Sequence, residues 1–153
     1  MKKALFIIIA SLVLLPILAE QCGNCPSSQA EAKNTSQSSD VTILHPKKSL
    51  GLYDNHTVSF QWDKSPKIGN RVLFVNIRDK KNRLSDDFTV TANSYMPSMR
   101  GAHDTGDKPM KLNKKNQYAI PVHFMMLGGW EIELKFSKDG KLRNLARIVL
   151  DIK

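Results

Sequence analysis

From Val41 onward the apolar positions recur with period two, and no 3.6-residue apolar stripe of helical length occurs. Phe88/Val90/Ala92, Tyr118/Ile120/Val122, Trp130/Ile132/Leu134/Phe136 and Ile148/Leu150/Ile152 alternate with polar neighbours such as Glu131, Glu133 and Lys135. Successive side chains of a strand point to opposite faces, so this is the in–out pattern of an antiparallel sheet buried on one face. Strands are predicted at 41–44, 57–62, 72–78, 88–94, 118–122, 130–136 and 146–152. Asp139-Gly140 supplies tight-hairpin chemistry between the last two. About seven short strands separated by turn clusters predict an all-β fold, an immunoglobulin-like antiparallel β-sandwich over 41–153. A domain of that size buries roughly two-thirds of its unfolded surface and folds without a disulfide.

The chain before Val41 has a different character. Lys2 and Lys3 precede sixteen uncharged residues, Ala4 to Ala19, rich in Leu and Ile. That run is short for a helix crossing about 30 Å of hydrocarbon. It matches a secretory signal peptide over 1–19, with Ile17-Leu18-Ala19 as the cleavage tripeptide. The protein is therefore expected to be periplasmic or otherwise exported, with an uncleaved membrane anchor as the alternative. Residues 20–40 turn to Ser, Gln, Asn, Ala and Glu and are expected to be a flexible tether, because they offer little apolar surface to bury. The tether carries both cysteines, in Cys22-Gly23-Asn24-Cys25. A redox dithiol normally opens a helix, and no helical pattern follows. An oxidising compartment favours a disulfide or a tether-borne metal-capture site over catalysis.

The net charge of +9, or +7 without Lys2 and Lys3, raises the possibility of nucleic acid. Export and the scattered Lys47-Lys48, Lys80-Lys81 and Lys114-Lys115 pairs argue against it; an anionic membrane surface is the weaker alternative. No Gly-rich phosphate loop, His-Glu-x-x-His or Gly-x-Ser-x-Gly is present, so no enzyme is expected. Asp86-Asp87 and Asp104/Asp107 read as hydrated loop carboxylates.

The informative stretch is 96–126, which holds five of the six methionines, with His103 and His123 beside them. Thioether sulfur is a soft ligand suited to monovalent copper, imidazole is a good partner for it, and thioether escapes oxidation to a disulfide outside the cytoplasm. Met96-Pro97-Ser98-Met99 puts two sulfurs three residues apart on a turn, and His103 follows four residues later. Met96 and Met99 are expected in a loop, where an apolar side chain has less reason to be buried. Met110 beside Pro109 reads as packing, and the adjacent Met125 and Met126 point to opposite faces. His123, beside a strand, reads as a ligand or a core histidine. His45 and His56 lie far off in sequence and read as structural.

A resemblance attaches to these residues. Met96-Pro97-Ser98-Met99, His103, Gly106-Asp107-Lys108-Pro109, Tyr118, Phe124, Met126 and Gly128-Gly129-Trp130-Glu131 resemble the YtkA-like/FixH family of exported β-sandwich domains. The layout is similar over 58–152, the specific motifs over 96–131. Met96, Met99, His103 and Met126 fall on the family pattern, while Arg100-Gly101-Ala102 lengthens the step to His103 and Leu127 replaces a proline. The resemblance implies copper handling or respiratory oxidase assembly outside the cytoplasm. The expected function is a monomeric accessory protein holding Cu(I) on Met96, Met99 and His103, closed by His123 or Met126. A membrane oxidase or copper-transport protein is the expected partner. The competing expectation is a metal-free interaction module whose Met-rich apolar patch docks to an envelope partner.

Overall fold

The computed structural model describes residues 41–153; the segments expected to be a signal peptide and a tether, with Cys22 and Cys25, lie outside the described residues. Ten strands form two five-stranded sheets: β1 (Thr42–Ile43), β2 (Leu50–Leu52), β3 (His56–Trp62), β4 (Gly69–Arg78), β5 (Thr89–Tyr95), β6 (Lys108–Pro109), β7 (Lys111–Leu112), β8 (Tyr118–Phe124), β9 (Gly128–Lys138) and β10 (Lys141–Ile152). Sheet one runs β1-β10-β9-β5-β6 and sheet two β2-β3-β4-β8-β7. The architecture is the all-β sandwich that the alternation predicts.

All seven expected strands are present. The three further ones, β2, β6 and β7, are edge strands of two or three residues, too short to carry an alternation signal. All pairings are antiparallel except β1 on β10, which is parallel. No hairpin links these two strands, so the constraint that makes neighbouring strands antiparallel does not act on them. Between β6 and β7 the chain passes from one sheet to the other at Met110. That residue is buried, and its N–H donates to the Val90 carbonyl at 2.9 Å. Met110 is therefore packing, as its proline neighbour suggests.

The core lies between the sheets. Trp130, Ile132, Leu134 and Phe136 of β9 are fully buried with Leu73, Val75 and Ile77 of β4, Val58 of β3 and Phe124 of β8. Asp139 and Gly140 both have positive φ, 54° and 71°, and join Lys138 to its partner Lys141 in a two-residue hairpin. Mirror-image turn geometry of this kind matches the right-handed twist of the strands it connects. The Tyr118 hydroxyl donates to the Phe88 carbonyl, and burial pushes its pKa up to about 12.

The β4–β5 loop is organised by one carboxylate. Asp79 accepts from the backbone N–H groups of Lys81 and Arg83 and from the Arg83 guanidinium at 2.7–2.9 Å. The Arg83 backbone bond, then its side chain, hold the carboxyl at about 2. A carboxyl NMR titration should place the Asp79 midpoint near that value. Because the folded pKa is depressed, the stabilisation is present above the unfolded value of 3.8 and is lost as pH falls through about 2. Arg83→Ala should raise the midpoint only part of the way, since the backbone donors remain.

Candidate functional site

Strand register brings two of the methionine-bearing segments together. Tyr95 of β5 pairs with Glu131 of β9, so the turn after β5 emerges beside the start of β9, where the 125–127 loop arrives from β8. The contact is close: a Cβ built on Gly128 would stand 3.4 Å from Met96 Cε. Gly128 has φ +116°, a conformation that side-chain-bearing residues rarely adopt. Four of the five described methionines, Met96, Met99, Met125 and Met126, thus gather at one end of the sandwich, called here the Met end.

Met96 is buried, contrary to the loop expectation, with 4% of its surface exposed. Strand β5 runs one residue beyond its predicted end, and the alternation Val90/Ala92/Ser94/Met96 carries the side chain onto the core face. Tyr95 consequently lies on the other face of the sheet yet is only 1% exposed: its hydroxyl donates to Glu131 Oε2 at 2.7 Å and the Arg100 guanidinium covers its ring at 3.8 Å. Burial, reinforced by the bond to Glu131, raises the Tyr95 pKa. Arg100 is thus engaged with an aromatic face, which accounts for a cation beside the candidate ligands.

Met99 is exposed on a short 3-10 turn, Pro97–Met99, whose last N–H donates to the Met96 carbonyl at 3.0 Å. The chain then returns along the edge of β5. Thr105 donates its N–H to the Ser94 carbonyl at 3.1 Å, and its hydroxyl accepts from the Ser94 N–H at 3.0 Å. His103 lies between these fixed points and is half-buried. Met126 is half-buried against the core, and its carbonyl accepts from Trp130 Nε1 at 3.1 Å. Trp130 stacks edge-on against Phe124, which in turn contacts Trp62, so an aromatic chain supports the 125–127 loop from below.

His123 is neither a core histidine nor a neighbour of Met96. Tyr118, Ile120, Val122 and Phe124 take the inward positions of β8, which leaves His123 exposed on the outer face of sheet two. Its Nδ1–H donates to Asn70 Oδ1 at 2.7 Å. His45 is exposed. His56 is buried and structural: its Nδ1–H donates to the carbonyls of Tyr53 and Asp54, and its ring meets Phe88 edge-on. Among the described residues no three His, Cys, Asp or Glu side chains are grouped to hold a metal ion. A metal at the Met end would therefore depend on sulfur, which suits a soft monovalent ion and does not suit zinc or calcium.

Tyr95, Asn70 and the Trp62–Phe124–Trp130 chain are further residues at this end that sequence pattern does not place there. Of these, Phe124 and Trp130 alone carried a local signal, as parts of the motif that runs from Phe124 to Glu131. The other contacts span long sequence separations.

A family model described as YtkA-like matches residues 52–135, more than half of the chain and the whole of the Met end. The chain belongs to the YtkA-like family. The match runs from β2 into β9, so both methionine-bearing segments of this YtkA-like domain fall inside it. No curated protein matches the chain, and no solved structure does. Among the described residues of the YtkA-like domain, no helix is long and apolar enough to cross a membrane.

Proposed function

We propose that this YtkA-like protein is an exported copper accessory protein that carries Cu(I) at the Met end and passes it to a membrane oxidase or copper-transport protein. The observation that carries the reading is the gathering of Met96, Met99 and Met126 around one loop pair, with His103 on the same turn region. Two or three thioethers and one imidazole suit a low-coordinate monovalent ion. Met126 is a better closing ligand than His123, because His123 projects from the outer face of sheet two. Copper is cargo here, and no covalent chemistry is assigned to the protein.

The test is a Cu(I) titration against a chromogenic competing chelator, on protein carrying Cys22→Ser and Cys25→Ser so that thiolates do not compete. Submicromolar binding is expected, falling at least a hundredfold in the Met99→Ala/His103→Ala/Met126→Leu variant. Trp130 fluorescence should respond to the metal, since its indole is bonded to the Met126 carbonyl. Equal and weak binding by both proteins would overturn the copper reading. The second reading, a metal-free docking module, is favoured by the exposure of Met99, Met125 and Leu127 at the same end.

A further inference from the structure

We propose that the Met end is also a docking surface for an anionic lipid bilayer, an inference that holds with or without copper. Four large apolar side chains are exposed there: Ile68 (51%), Met99 (39%), Met125 (49%) and Leu127 (58%). Register makes them neighbours. Gly69 of β4 pairs with Phe124 of β8, so Ile68 and Met125 are the next residues outward on adjacent strands. Leu127 precedes Gly128, which touches Met96, and Met99 ends the turn that Met96 opens. The four side chains occupy three loops that leave the same end of the sandwich.

Lys64, Lys67, Arg71 and Arg100 rim this patch. Among the described residues none of the four forms an ion pair with a carboxylate. Arg71 donates to the Ser65 and Asn70 carbonyls, and Arg100 lies over Tyr95. Four acids stand at the same end, and two of them are ion-paired. Glu131 is paired with Arg147 and Asp151 with Lys153, while Asp63 and Asp104 accept backbone N–H groups of Val72 and Gly106. At the opposite end the turn and loop segments carry Asp54, Asp79, Asp86, Asp87 and Asp139 beside Lys80, Lys81, Arg83, Lys138 and Lys141, with Arg83 paired to Asp79 and Lys138 to Asp54. An anionic surface is therefore drawn to the Met end by its four unpaired cations, which stand around the exposed apolar tips. Apolar tips ringed by long cationic side chains suit the bilayer interface: the tips enter the acyl boundary, and the cations stay at headgroup level.

The test uses the full chain with a copper chelator present and vesicles of phosphatidylcholine containing phosphatidylglycerol, or of phosphatidylcholine alone. Hydrogen exchange on the anionic vesicles should slow at least tenfold at the amides of 64–68, 97–103 and 125–127. Exchange at 79–87 and 139–140 should stay unchanged. Ile68→Ser with Leu127→Ser, and separately Lys64→Glu with Lys67→Glu, should abolish the slowing. These positions are exposed, and an unaltered exchange pattern in solution verifies that each variant is folded. Sedimentation with vesicles through residues 4–19 alone, without slowing at the three loops, would overturn the proposal. So would equal slowing on phosphatidylcholine alone, or protection centred on 79–87.

Discussion

Trp130→Ala is expected to lower folding stability by about 3–5 kcal/mol, a large share of the roughly 5–15 kcal/mol typical of a domain. Trp130 is 1% exposed and meets Phe124 edge-on with ring centroids 5.3 Å apart. Truncation leaves a cavity between the sheets, and the relaxation of a ten-stranded sandwich around it is only partial. It also strips the Met126 carbonyl of its indole donor. Urea unfolding measures the loss directly, and the melting temperature should fall on the order of 10–20 °C. Trp130→Phe should recover part of the packing but not the hydrogen bond. A change below about 1 kcal/mol for the alanine variant would show that the aromatic chain does not support this end of the core.

Met96 separates packing from ligation. Met96→Ala should cost about 2–5 kcal/mol, because the side chain is buried and its methyl group reaches Gly128. Met96→Leu conserves volume and should cost less than about 1.5 kcal/mol, while removing the sulfur. Under the copper reading, the leucine variant melts close to the wild type yet binds Cu(I) at least tenfold more weakly. Wild-type affinity in that variant would make Met96 a packing residue and leave Met99, Met126 and His103 to hold the ion. The alanine variant alone cannot separate these cases, since loss of the fold and loss of the sulfur coincide in it.

The same alternation that predicts the strands also explains where residue-level reading fell short. Val90, Ala92 and Ser94 already point Met96 inward once β5 continues to Tyr95. A strand ended at Ser94 leaves Met96 in a loop, and its burial is missed by one residue of length. His123 follows the same rule: between Val122 and Phe124, both inward, it has to face out. The edge strands β2, β6 and β7 were illegible for another reason, since two or three residues cannot display a period of two. The parallel pairing of β1 with β10 joins segments about a hundred residues apart, and no local turn announces it.

By itself the sequence determined the class of fold, the inward faces of β5, β8, β9 and β10, the Asp139-Gly140 hairpin and the concentration of methionine between 96 and 126. These are local properties, written in period-two alternation, turn chemistry and composition. Only the tertiary structure decided which methionines meet. Pairing of Tyr95 with Glu131 and of Gly69 with Phe124 joins three loops at one end, buries Met96, turns His123 away and gathers Ile68, Met99, Met125 and Leu127 on a basic rim. The physical reason is that register between strands distant in sequence is set by how their inward side chains fill one shared core, and no segment of the chain carries that information alone.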